Sequence, residues 1–327
     1  MADLSVKYMG LALRNPIIVG SSGLTNSVDN IIELEKAGAG AVVLKSLFEE
    51  HVRYYLCQEN NSGQGIGYPE ALEYISRFAN QHPLEEYLKL IAEAKRSVKI
   101  PVIASINCVS ASEWISFANK IEEAGADALE LNIFILPSDT LQEGEENEAE
   151  YFNIIQEVIR HVNFPVAIKI GCYFSGFSRT ALKLSWTGIK GMVLFNRFYS
   201  PDIDIDNLTI TAGGVFSTKD EYLNTLRWVS MLSARLYCDV SATTGIHDAK
   251  TVIKHLLAGA KTVQVCTILY KQGFEHLGIL LAGLDEWMMK HIFTSTDQFI
   301  GKMSMHKSEN PAVFERVQFM RQFSGIE

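Results

Sequence analysis

The sequence predicts a (β/α)8 barrel, and two observations carry that prediction. Short apolar runs that read as buried strands alternate with helical segments along the whole chain. Five of these runs end in an amide or a lysine: AVVLK (Ala41–Lys45), PVIASIN (Pro101–Asn107), ALELN (Ala128–Asn132), PVAIK (Pro165–Lys169) and GMVLFN (Gly191–Asn196). Continuous apolar strands belong to parallel sheets covered on both faces. Eight strand–helix units in uninterrupted alternation close into a barrel. A doubly wound sheet is the rival. Its Gly-rich phosphate turn would follow the first strand, where this chain has Ser21-Ser22-Gly23-Leu24 instead.

The elements follow in order. LSVKYMGLALRNP reads as a hairpin plugging the barrel bottom, Pro16–Gly20 as the first strand and Ser21–Gly23 as its loop. A helix over Val28–Ala37 ends at Gly38, and Ala41–Lys45 is the second strand. An irregular stretch rich in Asn, Ser and Gly runs from Ser46 to Pro69, with helices starting near Glu70 and Leu84. The third strand starts at Pro101. The next helix starts near Ser110, where Ser110 and Glu113 have capping-box spacing. After the strand Ala128–Ile133 comes FILPSDTLQEGEENEAE, which is too long for a tight turn and reads as a lid. A helix over Tyr151–Val162, a strand over Pro165–Ile170, a helix over Arg179–Thr187 and a strand over Gly191–Phe195 follow. The insertion Tyr199–Phe216 alternates as DIDIDNLTIT and reads as a hairpin over the rim. Helix Lys219–Ala234, strand Leu236–Val240, helix Ala249–Leu257, strand Thr262–Val265, a helix near Leu277–Met289 and a helical tail complete the chain. No linker or shift in composition divides it, so residues 1–327 read as one domain.

Composition narrows the function. The hydrophobic fraction of 47% and the charged fraction of 20% are those of a soluble globular protein. A net charge of −9 argues against a nucleic-acid binder, but local lysines can still hold an anionic small ligand. The five cysteines are scattered, without CxxC spacing, and read as free thiols in a reducing cytosol rather than as metal ligands. The N-terminal stretch has no basic and apolar signal-peptide pattern, and no apolar run is long enough to span a bilayer. A cytoplasmic protein with no membrane partner is expected.

In barrels the site lies at the C-terminal ends of the strands. Lys45 and Lys169 each end an apolar strand there, where an unpaired ammonium would be costly to bury. Asn107, Asn132 and Asn196 end three more. Each asparagine alone reads as a turn residue; together they suggest donors and acceptors around a planar heterocycle. Beyond the seventh and eighth strands, Ser241–Ile246 (with Thr243, Thr244 and Gly245) and Val265-Cys266-Thr267 form the corner where barrels bind phosphate through backbone N–H groups and a short helix N-terminus. His247 is the one histidine on this rim, and a helix-start role is expected for it.

Several short motifs in fixed order resemble one family: NPIIVGSSG (Asn15–Gly23), VLKS (Val43–Ser46), GxxYP (Gly65–Pro69), LELN (Leu129–Asn132) and AIK (Ala167–Lys169), then FN (Phe195-Asn196), AGG (Ala212–Gly214), TTGI (Thr243–Ile246), GAKTVQVCT (Gly259–Thr267) and FIGKM (Phe299–Met303). Over nearly its whole length the chain resembles the dihydroorotate dehydrogenase family in its soluble class 1 form. The resemblance implies an FMN-containing barrel. Ser21, Ser22 and Gly23 would lie along the flavin ring, with Lys45 and Ser46 beside it. Asn107, Asn132 and Lys169 would contact the ring and ribityl chain, and Gly213 and Gly214 would line that chain. Gly245, Cys266 and Thr267, with Thr244 beside them, would hold the phosphate. The lysines would supply flavin electrostatics. Class 1 relatives form dimers, some with an iron–sulfur/FAD electron-transfer subunit, so the resemblance leaves room for a homodimer and such a subunit.

The departures matter equally. The family pattern after the fourth strand is N-L-S-C-P-N, whose Cys or Ser removes a proton from the substrate. This chain has Asn132-Ile133-Phe134-Ile135-Leu136-Pro137, so Ile135 stands at the position of the base. An aliphatic side chain takes no proton. Gln64 and Glu70 replace asparagines of the family, and Arg197 replaces a small hydroxyl residue beside Asn196. Asn132, Asn196 and Arg197 are the expected substrate contacts. Ser138, Asp139, Cys108 and Cys172 are the other candidates for a base. The expected activity is an FMN-dependent oxidoreductase acting on a CH–CH bond, dihydroorotate to orotate in pyrimidine biosynthesis. The alternatives are a flavin oxidoreductase for another small planar substrate, a flavin-binding paralogue without chemistry, or a flavin-free barrel using Lys169 as a Schiff base.

Overall fold

The computed structural model describes residues 2–48, 83–107, 111–197 and 200–315. The expectations for Gln64, the GxxYP motif, Glu70, Cys108, the Ser110 cap and residues 316–327 of the C-terminal tail lie outside them. The described part of the tail holds short 3-10 turns at Thr296–Gln298, Met305–Lys307 and Pro311–Phe314 in place of the expected helix. The chain opens with an antiparallel hairpin, β1 (Val6–Tyr8) and β2 (Leu11–Leu13). Barrel strands follow as β3 (Ile17–Val19), β4 (Ala41–Val43), β6 (Val102–Asn107), β7 (Ala128–Asn132) and β8 (Val166–Ile170), then β9 (Gly191–Leu194), β12 (Asp239–Thr243) and β13 (Thr262–Val265). All are parallel, and the ring closes because β4 pairs with both β3 and β6. The short β5 (Leu47–Phe48) continues along β6. Helices α1 (Val28–Ala37), α2 (Pro83–Ser97), α3 (Ala111–Glu123), α4 (Gly144–His161), α5 (Phe177–Ser185), α6 (Tyr222–Leu232) and α7 (Ala249–Ala258) lie between strands, and α8 (Thr267–Gln272) and α9 (His276–Lys290) follow β13. The predicted (β/α)8 barrel is the observed one.

Strand alternation sorts the side chains into two cores. Ile17, Val42, Leu129, Leu131, Ile168 and Ile170 face outward and pack under the helices. Ile18, Ala41, Val43, Ile103, Ala128 and Ala167 face inward and meet Val6, Tyr8, Met9 and Leu13 of the hairpin. Each such Val, Leu or Ile side chain contributes about 1.5–3 kcal/mol when fully buried. The hairpin seals the barrel floor against Gly191, where a Cβ would lie 2.7 Å from Met9 Sδ and 2.8 Å from Tyr8 Oη. The Met9 N–H donates to Asp239 Oδ2 at 2.8 Å, fixing the plug to the start of β12.

Three helix-to-strand joints use one chemistry. Gly38, Gly125 and Gly259, each in an Ala-Gly-Ala triplet, have φ of +113°, +94° and +115°. The alanine after each donates its N–H five residues back, to Leu34, Ile121 and His255. This is the Schellman pattern, and the left-handed residue favours glycine. The next N–H, of Gly40, Asp127 or Lys261, donates to the preceding barrel strand at Ile17, Val102 or Val240. Each joint thus ends a helix and sets the start of a strand.

Two expected boundaries are corrected. Helix α4 starts at Gly144, not near Tyr151, because Glu143 and Glu146 form a capping box and Glu145 and Glu146 occupy the positive end of the helix dipole. The acidic run is a helix start, and the lid is shorter. Strand β12 is Asp239–Thr243 rather than Leu236–Val240, so Ser241, Ala242 and Thr243 are buried strand residues, not loop. The insertion is a hairpin as expected, β10 (Pro201–Asp204) paired with β11 (Thr209–Ala212). Among the described residues no helix is long and apolar enough to cross a membrane.

Candidate functional site

The inward parity that packs the barrel floor delivers polar groups one layer higher. On β7 and β8 the residues after Ala128 and Ala167 in that alternation are Glu130 and Lys169. On β13 it is Gln264. Glu130 is buried at 1% exposure and Lys169 at 9%. Gln264 Nε2 donates to Glu130 Oε2 at 2.6 Å, and Lys169 Nζ lies 3.5 Å from Gln264 Oε1. Glu130 Oε1 lies 3.7 Å from Lys169 Nζ, an ionic contact too long for a hydrogen bond, and it accepts none from the described residues. The carboxylate therefore holds the ammonium from below. Neither Glu130 nor Gln264 was anticipated. Their signal is a polar residue at an inward position within an apolar strand, in LELN and VQV.

Above this layer a cavity of about 470 Å³ opens at the C-terminal mouth. Lys169, Gln264, Ser21 and Ser22 line its floor side, with Asn196 and Arg197 from the end of β9. Thr243, Thr244, Gly245, Cys266 and Thr267 line the corner past β12 and β13. Val215, Phe216 and Tyr270 form an apolar wall, with the Phe216 and Tyr270 rings 5.5 Å apart. No Asp or Glu is among the described lining residues, although the chain is acidic. Gly245 has φ of +72°, and a Cβ there would lie 2.4 Å from the Tyr222 N atom. Thr244 shares the left-handed backbone, at φ of +74°, and its hydroxyl donates to Phe195 O at 3.3 Å. Two helices start at this corner: α7 is capped by Asp248, which accepts the Thr251 N–H, whereas the short α8 starts at Thr267 with no side-chain cap from Cys266.

The remaining expected residues divide. Asn132 Oδ1 accepts from Asn196 Nδ2 at 2.7 Å, joining two strand ends. Ser46 is buried and joins Ser21 (Oγ–Oγ 3.1 Å) to Ser105 (2.7 Å) in a hydroxyl chain. Lys45 does not converge with Lys169: it is exposed and does not line the cavity. The cause is one extra residue in the strand, because Val43 faces Ile103 while Leu47 faces Ile106. This bulge turns Ser46 inward in place of Lys45. Asn107 ends β6 half-buried beside Phe48 and does not line the cavity. Gly213 and Gly214 sit at the base of the rim hairpin. Gly213 donates to Ser200 O at 3.0 Å, an approach that a Cβ would block at 2.4 Å. Gly23 admits Tyr270 Oη to within 2.8 Å of where its Cβ would be.

Arg197 is engaged within the protein. Its Nε donates to Glu221 Oε2 at 2.7 Å and its Nη1 to Val215 O at 3.0 Å. Burial alone would raise the Glu221 carboxyl, but Arg197 and the Thr218 N–H outweigh it and hold it below the ordinary value.

A sequence profile of dihydroorotate dehydrogenase matches residues 3–288. The chain belongs to the dihydroorotate dehydrogenase family. Members of this family are flavin-dependent oxidoreductases. A protein of Thermoplasma acidophilum named dihydroorotate dehydrogenase B (NAD(+)), catalytic subunit, is 25% identical over 314 residues, covering 92% of this chain and 99% of that one. Its Pyrococcus furiosus namesake is 26% identical over 310 residues, covering 91% and 98%. The NAD-dependent dihydropyrimidine dehydrogenase subunit PreA of Escherichia coli is 25% identical over 321 residues, covering 91% and 76%.

Ile135, expected from the resemblance at the position of the base, is partly buried and packs on the helix-facing core. Tyr151 bonds the Ile135 backbone, and burial raises that phenol to about 12. The other described candidates have local duties. Ser138 contacts Leu136 O, and Asp139 accepts the Leu141 N–H at 2.9 Å, both in the exposed lid. Cys172 lines a smaller neighbouring pocket of about 270 Å³, and burial pushes its thiol up.

Proposed function

We propose that this protein is an FMN-dependent oxidoreductase acting on a CH–CH bond of a small planar substrate. The observation that carries the reading is a mouth cavity lined by Lys169, hydroxyls and amides, with no described carboxylate, in a chain of net charge −9. Such a lining suits an electron-rich, anionic ligand.

The residues fit FMN. The cavity volume lies within the range of cofactor sites. Lys169 would stand at the ring, Ser21 and Ser22 along it, and the Thr244–Gly245 turn with Cys266 and Thr267 at the phosphate. Bound there, FMN supplies hydride acceptance. Lys169 offers positive charge where the reduced ring would carry negative charge. Asn132 and Asn196 hold each other's amides in fixed orientation and would present them to a substrate. Val215, Phe216 and Tyr270 would exclude water from one side.

Dihydroorotate is the family substrate and the first to test. Ile135 at the base position favours a second reading, in which another planar or unsaturated compound is the substrate. An absorption spectrum and FMN titration test the cofactor: a colourless protein that refuses FMN overturns the proposal. Anaerobic mixing with dihydroorotate tests the substrate. Bleaching within minutes supports the family reaction, and its absence, with bleaching by another compound, supports the second reading.

A further inference from the structure

Hydrogen-bond valence around Thr267 fixes a direction. Thr267 Oγ1 accepts the Ser217 N–H at 3.3 Å and the Ser217 hydroxyl at 3.1 Å. Ser217 Oγ also lies 3.1 Å from His247 Nε2. A serine hydroxyl has one proton. With that proton given to Thr267, Ser217 must accept from the imidazole, so His247 carries its proton on Nε2. Both acceptor positions of Thr267 Oγ1 are then filled. Its own proton is left for an acceptor in the cavity that Thr267 lines. Donors run one way, from His247 through Ser217 to Thr267 and out into the mouth.

The chain of donors is built into the fold. Ser217 is 5% exposed, the single buried residue between Thr209 and Glu221, and His247 is 6% exposed. The His247 carbonyl lies 3.4 Å from His276 Nε2 on α9. Burial, then Lys271 on α8 and Lys219 beside the rim hairpin, hold the imidazole below its ordinary pKa, while Asp248 and Glu221 oppose them. At neutral pH it is a neutral Nε2–H donor, and Nδ1 is the nitrogen that takes a second proton.

We propose that His247, Ser217 and Thr267 form a directed donor relay that recognises a phosphate monoester at the β12/β13 corner, with His247 as its positioning residue. The inference rests on the FMN reading, in which the phosphate is that ligand's terminal group. A dianion at the end of the relay favours the imidazolium, so bound phosphate raises the His247 pKa. Affinity then gains from protonation as pH falls through the raised value.

The test compares FMN with riboflavin, which lacks the phosphate, by fluorescence titration from pH 6 to pH 8. His247→Phe is expected to weaken FMN about fivefold, the net worth of one neutral hydrogen bond in the chain that ends on the phosphate, and to leave riboflavin within about twofold. His247→Gln keeps a donor at the same reach but cannot titrate. It is expected to restore FMN binding at pH 8 and to lose the wild-type rise at lower pH that exceeds the phosphate's own titration. Ser217→Ala and the Ser217→Ala/His247→Phe double variant should bind FMN equally, because either change cuts the same chain. Nitrogen NMR of the ligand-free protein should show the Nε2–H tautomer. Should His247→Phe fail to fold, Thr267→Val removes the terminal donor and takes its place. Equal loss of FMN and riboflavin affinity, additive losses in the double variant, or an Nδ1–H tautomer overturns the relay. Wild-type protein that binds neither flavin overturns the FMN reading and the relay with it. FMN binding that is indifferent to these variants overturns the relay alone.

Discussion

Glu130 and Lys169 stand 3.7 Å apart inside the barrel, with Gln264 bridging them. The carboxylate is the more deeply buried partner, at 2% side-chain exposure against 11% for the lysine. Removing Lys169 therefore leaves an uncompensated charge in the core. Lys169→Met is expected to cost about 3–5 kcal/mol by urea denaturation, and Glu130→Gln in the same chain to recover most of it. Glu130→Gln alone leaves more positive charge facing the mouth. On the FMN reading it should raise the midpoint potential of the bound flavin, by about 30 mV for each 1.4 kcal/mol of two-electron stabilisation. Spectroelectrochemistry reads the shift, and a negative one counts against Lys169 as the ring's electrostatic partner.

Gly245 is required by geometry. Its φ is +72°, and the Tyr222 backbone lies where a Cβ would go. Gly245→Ala must move the start of α6 or the β12 turn. A loss of about 1–3 kcal/mol in stability is expected from the strained conformation, together with weaker binding of any phosphate-bearing ligand. A melt unchanged from wild type would contradict this.

The Arg197–Glu221 pair fastens the hairpin's descending arm, through Val215, to the start of α6. Arg197→Ala is expected to lower global stability by only about 1 kcal/mol, as for a largely solvated pair. Its visible effect should be local: faster proteolytic nicking between residues 200 and 216. Because the Glu221 carboxyl sits below its ordinary pKa, the contribution is complete above that ordinary value. It is lost as pH falls through the lowered one. Nicking of wild-type protein should therefore stay slow at pH 6, and a nicking rate unchanged by Arg197→Ala would rule out the tie.

His255 is fully buried on α7, and neither ring nitrogen has a hydrogen-bond partner among the described residues. Burial, helped by Lys254, pushes its pKa down to about 3. The unfolded chain binds its proton near pH 6.5, the folded one only near 3. Between those values unfolding takes up a proton, so stability falls as pH falls, by up to about 1.4 kcal/mol per unit from this group. His255→Leu should flatten the stability profile between pH 6 and pH 4, measured by denaturant midpoints. A parallel slope in the variant would assign the acid lability elsewhere.

The barrel was legible because buried parallel strands are apolar along their whole length, and period-two parity then names the inward residues. Lys45 and Lys169 show the limit. Both end an apolar run, but only Lys169 points inward, because a one-residue bulge after Val43 re-aims its neighbour. Nothing local in AVVLKS marks that bulge, which depends on pairing with β6. The corner past β12 was read too early in the chain. Ser241 and Thr243 look like turn residues, and their burial comes from inward hydrogen bonds such as Thr262 Oγ1 to Ser241 Oγ at 2.9 Å. Ser217 gave no signal at all, since its partners lie 30 and 50 residues away.

The Ala-Gly-Ala joints carry a consequence for assembly. Where each of those helices stops, and where the following strand is handed to its neighbour, is dictated within a few residues. Three staves of the cylinder can therefore be positioned as soon as they are synthesised. Only the final seam, between the staves at Ile17 and Val263, needs the distant parts of the polypeptide to be present together.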